Sequence, residues 1–433
     1  MISPMDFINK PYIPCPFCGK HSFGVLMVRS DSYLRRCTEC FRPRGDENAA
    51  AYPLPILEKK VIYIDQMGIS NMMKALNPNI RAGGSGKASE FWLQLFDRLD
   101  VLAKLQLCVY PESSFHEWES LVAPFFRPLN RMYEHLSCGV SFLDPDTIAR
   151  FQIIGQLHLW LGKKDRSILD IHRVVNGRIN AWLERLQVSV HLGHSPELLE
   201  ELRRDREITA RWVNNVFKRW QGEKGRSFLD WYEEERRASA KVLVERYQMQ
   251  KAKALSMGLG LRPLNPLGLI PDMATLTIYE IRDVLTREGT PVDQVDQRVN
   301  EFLKSDAYKE ASHIRIASML YAAMAREAAG GRKKSPGRGF YTDVRIVSTL
   351  LPYCDAMFVD NEFRGLLSKQ PLCDELLDQT QVFSFATGEE FLRYLDEIKA
   401  SASGAHLKAV EEVYGPDWAT PYRELYGERL ANS

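Results

Sequence analysis

The sequence predicts an α/β protein: a parallel sheet with flanking helices, interrupted by a large all-α insertion and preceded by a small cysteine-bounded ribbon. Three observations predict it. Short apolar runs at Val61–Asp65, Gln106–Tyr110, Ala356–Asp360 and Val382–Phe385 alternate with helical periodicity, which points to parallel strands joined by helical crossovers. The first two runs are separated from the last two by roughly two hundred residues of helical pattern. Four of the eight cysteines crowd into residues 15–40.

At 433 residues the chain is long enough for two or three folded units. Its 45% hydrophobic and 26% charged residues are those of an ordinary globular protein. Lysine plus arginine number 57 against 56 aspartate plus glutamate, so the net charge is +1 and any basic surface has to be local. The opening residues Met1 to Asp6 lack the form of a secretory signal, and no apolar stretch approaches the roughly 18 residues that span a bilayer. Cys108, Cys138, Cys354 and Cys373 are scattered and read as buried thiols, so a reducing cytoplasm and no membrane partner are expected.

The ribbon comes first. Cys15-Pro-Phe-Cys18 and Cys37-Thr-Glu-Cys40 are two knuckles, each able to grip one ion with two thiolates. Together they complete a tetrahedral zinc site, and Gly19 suits the turn after the first knuckle. All four positions are filled by protein, so this zinc is structural and supplies folding free energy to a segment too small to fold alone. Phe23–Arg29 and Tyr33–Arg36 read as the two strands between the knuckles; Arg35, Arg36, Arg42 and Arg44 lie where they could touch phosphate.

The ribbon spans residues 1–44 and a linker 45–56. The first part of the α/β domain covers 57–125: the strand ending at Asp65, a helix from Ser70, a loop at 81–88, a helix through Phe91, Leu95 and Leu99, a second strand, and a helix from Ser114. The loop resembles a phosphate-binding loop only superficially, since Arg81 and Ala88 replace the residues that such a loop requires. The insertion runs over 126–329, with mixed charges and Trp212, Trp220 and Trp231 across its 198–253 segment. The second part, 330–400, holds a helix at Tyr341–Tyr353, a strand ending at Asp360, a helix from Asn361 and a last strand. A capping box at Thr387–Glu390 then opens an amphipathic helix, and a helical tail occupies 401–433.

Ligands of parallel sheets bind beyond the carboxyl ends of the strands. Asp65 and Asp360 end two strands, Glu117 follows a third, and Asp343 opens the helix that feeds the strand of Asp360. Four carboxylates in a small space repel unless a cation neutralises them, and Mg²⁺ or Mn²⁺ takes such oxygens while retaining waters. Two such ions can activate a water and stabilise the leaving oxygen of a phosphodiester. Each acid also has a plain role open to it, as a helix cap or first-turn residue. Asp355 and Glu119 stand near enough to replace one of the four.

The segments Tyr63–Ser70, Val109–Glu117 and Asp343–Asp360 resemble the PIN-domain family of metal-dependent nucleases. The resemblance covers about 57–125 and 335–400 and leaves out the ribbon and the insertion. It implies a PIN-like parallel sheet and a catalytic site in which Asp65, Glu117, Asp343 and Asp360 bind Mg²⁺ or Mn²⁺ for hydrolysis of phosphodiesters, mostly in RNA. Gln66 departs from the pattern, in which Thr or Ser is commoner after the first Asp, and the insertion is far larger than a minimal member carries.

The cationic loop Gly330–Gly339 runs into Asp343, so Arg332, Lys333, Lys334 and Arg338 are candidate contacts for nucleic acid, RNA before DNA. Arg166 and His172 fit the loose pattern of a metal-free helical ribonuclease, whose cleavage would persist in EDTA. The alternative to a nuclease is a catalytically silent PIN-like scaffold. Its ribbon or insertion would bind nucleic acid or a protein partner.

Overall fold

Val61 and Tyr63 turn to one side of their strand, Ile62 and Ile64 to the other, and all four are buried. A strand packed on both faces shows a continuous apolar run instead of alternation, which is why this one was legible. The computed structural model describes residues 8–42, 51–77, 86–121, 123, 125–163, 170–183, 196–259, 270–378 and 380–415.

The ribbon consists of β1 (Asn9–Pro14), β2 (His21–Val28) and β3 (Ser32–Cys37), paired antiparallel, with β4 (Tyr52–Pro53) on the outer edge of β3. This corrects two expectations: the ribbon has more than one hairpin, and residues 52–53 belong to the sheet rather than to a linker. Tyr52 stacks on Tyr33, with ring centroids 5.0 Å apart, and a two-residue edge strand is too short to leave a periodicity in the sequence.

Next come β5 (Lys60–Ile64), α1 (Gln66–Leu76), α2 (Gly86–Lys104), β6 (Cys108–Val109) and α3 (Ser114–Leu121). The first helix starts at Gln66, four residues before the expected Ser70, because the chain turns straight off the strand at Asp65. Gly68 permits that turn: a Cβ there would stand 2.9 Å from Ile64 Cγ2, so α1 lies hard against the sheet. The middle of the chain contributes α4 (Phe126–Ser137), β7 (Ser141–Phe142), α5 (Pro145–Trp160), β8 (Val175–Asn176), α6 (Pro196–Gly222) and α7 (Phe228–Gly258). Then follow α8 (Met273–Arg287), α9 (Val295–Lys304), α10 (Asp306–Lys309) and α11 (Ser312–Ala329). The insertion is therefore not all-α: β7 and β8 pair antiparallel, again over only two residues each.

The last part holds α12 (Phe340–Leu350), β9 (Ala356–Phe358), α13 (Asn361–Leu367), α14 (Leu372–Leu376), β10 (Gln381–Phe383), α15 (Gly388–Ala400) and α16 (Gly404–Tyr414). The capping box falls elsewhere than expected. Thr387 makes no cap to α15; its hydroxyl instead accepts the Ser384 amide at 3.0 Å, closing a box around the short turn Phe385–Thr387.

The four strands β10-β9-β5-β6 lie in that order and all run parallel. Odd-numbered residues of β5 and β9, with Val382, pack beneath α6, α7, α11 and α12 in one core. Even-numbered ones, with Phe383, pack against α1, α2, α4 and α15 in a second. Val213, Phe217, Trp220 and Trp231 belong to the first core, so the helices of the insertion cover one face of the sheet. Trp220 and Trp231 are thereby buried; Trp212 is 47% exposed.

The ribbon rests on α16, and the rest of the expected tail, 416–433, lies outside the described residues. Val25, Val28 and Tyr33 pack with Trp182, Val410 and Val413, and Arg35 donates to the carbonyls of Pro11 (2.6 Å), Phe23 (2.9 Å) and Glu412 (2.6 Å). Arg35 is therefore a buried structural tie rather than a phosphate contact, and Arg36 donates to the Phe41 carbonyl. Arg42 is exposed, while Arg44 lies outside the described residues. Cys108 and Cys354 are buried as expected; Cys138 and Cys373 are partly exposed. Among the described residues no helix is long and apolar enough to cross a membrane.

Candidate metal centres

The sulfurs of Cys15, Cys18, Cys37 and Cys40 all lie within 4.8 Å of one another. Cys15 and Cys40 are 3.6 Å apart and Cys18 and Cys37 3.7 Å. A tetrahedron with zinc–sulfur bonds of about 2.3 Å has edges of about 3.8 Å, so the set could hold a metal such as zinc. Gly19 follows the first knuckle at φ +71°, the left-handed turn its position requires. Burial pushes the Cys37 thiol up, but the Ser22 hydroxyl at 3.1 Å and the amides of Cys40 and Glu39 at 3.3 Å outweigh it. The thiol falls to about 6 while its neighbour Cys40 is pushed up to about 11, so without an ion the crowded sulfurs share their protons unevenly.

The second centre is a hollow of about 530 Å³ at the carboxyl end of the sheet. Asp65, Glu119, Asp343, Asp360 and Glu362 line it, with Arg206 and Lys74 as the cations among the lining residues. Its position follows from the local fold. Asp65 is the residue before α1, Asp343 lies in the first turn of α12 and Asp360 precedes α13, so three helix N-termini converge there. Their amide ends offset part of the repulsion among the acids.

Of the four expected acids, Asp65, Asp343 and Asp360 line the hollow, and Glu117 does not. On α3 the buried residues are Phe115, His116, Ser120 and Leu121; Glu117 turns outward, and Glu119 faces the hollow in its place. Asp355 stands at the opposite end of the sheet, where its carboxylate accepts the Val61 amide at 2.8 Å and pairs with Lys60 at 2.7 Å.

The electrostatics are those of crowded like charges. Burial, then the Asp360 carboxylate, pushes Asp65 up to about 6, against the amides of Gln66 and Met67. Burial and Asp65 raise Glu119 to about 7, with Arg206 opposing at 3.8 Å. Asp343 is driven well above the usual carboxylate range by burial and then by Asp65, Asp360 and Glu119. Asp360 is raised by burial while its Oδ1 accepts the Phe363 amide at 2.6 Å, so it also caps α13. Asp65 makes no such capping bond. Among the described residues, no three of these acids bring oxygens within 4.8 Å of one another, as the cysteine sulfurs do. A hydrated cation, which keeps waters between itself and some of its carboxylates, tolerates that wider spacing.

Two further residues escaped sequence reasoning. Gln66, with its amide nitrogen turned toward the acid, donates to Glu119 at 2.6 Å and accepts the Ser120 amide at 3.2 Å. Arg206 arrives from α6, 87 positions beyond Glu119, with no local signal. Gly337 and Gly339 of the cationic loop form part of the wall. Within that loop Arg332 is tied to Glu327 at 2.7 Å and to Glu362, whereas Lys333, Lys334 and Arg338 are exposed. His172 is exposed, and Arg166 lies outside the described residues.

No protein-family profile, curated protein or solved structure matches this chain.

Proposed function

We propose that the chain is a metal-dependent PIN-like nuclease that hydrolyses phosphodiesters of single-stranded nucleic acid, RNA before DNA. Its ribbon is held by one structural zinc. The observation that carries this reading is the convergence of Asp65, Glu119, Asp343 and Asp360 in one hollow, each raised by burial and most by one another. Structural ion pairs balance opposite charges; here five carboxylates line the hollow against the two cations Arg206 and Lys74, and such an excess of one sign at a strand-end cleft suits a cationic ligand. These four residues would hold Mg²⁺ or Mn²⁺, which supplies Lewis-acid activation of water and neutralises charge at phosphorus.

The remaining roles fall to the chain's own side chains. Glu119 would act as a carboxylate in the loaded site, since a bound cation draws its raised carboxyl back down, and would help to position the attacking water. Gln66 fixes the orientation of that carboxyl, and Arg206 offers positive charge for a phosphate at the edge of the acids. Lys333, Lys334 and Arg338 extend that charge along the path of the strand.

Incubation of the purified protein with labelled single-stranded RNA and DNA, in Mn²⁺ or Mg²⁺ and then in EDTA, tests the reading. Cutting should require the metal and disappear in Asp360→Asn and Asp343→Asn with the fold intact. Retained cutting in both variants would sink the assignment. One observation favours a second reading: Asp360 already caps α13, as it would in a silent scaffold. Binding without metal-dependent cutting identifies that case.

A further inference from the structure

α12 has two working sides. Phe340 and Asp343 face the acid hollow, while Tyr341, Val344, Arg345 and Ser348 line a larger one of about 730 Å³ on the other side of the same helix. That split is the helical period itself, with each set spaced three or four residues apart. α6 borders both hollows as well, giving Arg206 to the first and Trp212 to the second. The larger one lies within the range of roughly 300–1,000 Å³ that accommodates a small organic molecule.

Its chemistry differs from that of its neighbour. His313 lines it, and both the backbone nitrogen and Nδ1 of this residue meet Gln152 Oε1, at 2.7 and 3.1 Å. The orientation of Gln152 is fixed, because its nitrogen donates to the Thr349 carbonyl at 3.2 Å. An amide oxygen only accepts, so Nδ1 of His313 carries the proton and Nε2 is left as a bare acceptor. Burial holds the imidazole down at about 3, so the ring stays neutral. A neutral acceptor suits the N–H edge of a heterocycle and offers nothing to a phosphate. The mouth is aromatic and apolar: Trp212, 47% exposed, meets Tyr341 edge to face at 5.9 Å, beside the exposed Ile208 and Val242. Arg246 stands exposed at the rim and supplies positive charge for a backbone.

We propose that this second hollow is a base-binding subsite. It takes an unpaired nucleobase of the single strand whose backbone reaches the acid hollow on the other side of α12. The assignment rests on the nucleic-acid reading above, but it does not need cleavage. A base enters past Trp212, stacks on its exposed face, and turns an amino or imino edge toward His313. The phosphates outside pass Arg246.

The test measures binding with cutting disabled. Asp360→Asn protein in EDTA is titrated into a short fluorescent single-stranded RNA and the matching DNA, alongside Trp212→Ala and Trp212→Phe in the same background. Loss of one stacked base should weaken binding about 5- to 150-fold in Trp212→Ala, and Trp212→Phe should restore most of it. Replacing one nucleotide by an abasic residue should cost the parent chain a similar factor and cost Trp212→Ala little. Equal affinities for the parent and Trp212→Ala overturn the subsite. Wild-type cutting together with equal affinities overturns the subsite alone. Trp212-dependent binding without any cutting by wild type overturns the nuclease and keeps the subsite. No binding at all overturns the subsite, and overturns the nuclease too if wild type also fails to cut in Mn²⁺ or Mg²⁺.

Discussion

Consider Asp65→Asn in protein stripped of divalent ions with EDTA. In the folded chain the Asp65 carboxyl is raised from 3.8 to about 6, chiefly by burial and then by Asp360. A raised acid binds its proton more tightly folded than unfolded, so its ionised form opposes folding. Stability due to this group is therefore lost as pH rises from about 4 to about 6 and regained on acidification. At about 1.4 kcal/mol per pKa unit, the ionised carboxylate opposes the fold by at most about 3 kcal/mol at neutral pH. Water reaches the hollow and screens the charge, so about 1–2 kcal/mol is the expected gain from Asn. Urea unfolding in EDTA should show Asp65→Asn more stable than wild type near pH 7.5, and the two converging near pH 4. Added Mn²⁺ reverses the order: at about 100 times its Kd it stabilises wild type by about 2.7 kcal/mol and the variant much less. An Asn variant less stable than wild type in EDTA, or no response of wild type to Mn²⁺, would refute the reasoning. Either result would mean that Asp65 is satisfied by the protein alone.

Two other predictions follow from the geometry. Elemental analysis of metal-free-buffer protein should find one zinc per chain, lost in Cys37→Ser; proteolysis of that variant should begin in the ribbon, and unchanged zinc content would remove the metal from the description. Glu119→Gln should lose cutting by a factor of about 100 or more, whereas Glu117→Gln, at a position turned away from the hollow, should cut like wild type. Loss in the Glu117 variant alone would show that α3 turns the other way.

The strands whose residues are buried on both faces were readable, and so were the acids at their ends. Val61–Asp65 and Ala356–Asp360 carry the continuous apolar run that a doubly covered strand requires. Glu117 and Glu119 differ by two positions, about 200° around a helix, so only the burial of His116 and Ser120 decides which faces the hollow. Its place after the second strand and the family resemblance pointed to Glu117, with Glu119 only a spare acid; the burial of α3 turns Glu119 to the hollow. Gln66 was visible as a departure and became intelligible only beside Glu119. Arg206 had no local signature, while Arg35 and Trp212 were visible as a cation beside the second knuckle and as one of three interleaved tryptophans; their partners come from elements far away in the chain. The two-residue strands β4, β7 and β8 are below the length at which any period can be counted.

The order of the sheet has a consequence for the newborn chain. β5 pairs on one side with β9, and Asp65 waits 295 residues for Asp360. At about 5–20 residues per second, a ribosome takes about 15–60 s to bridge that interval. For most of it, the first aspartate is outside the exit tunnel, beside the largest RNA in its surroundings. The hollow cannot assemble until α12, β9 and α13 have emerged, so whatever chemistry the four acids carry is absent while the chain is being made.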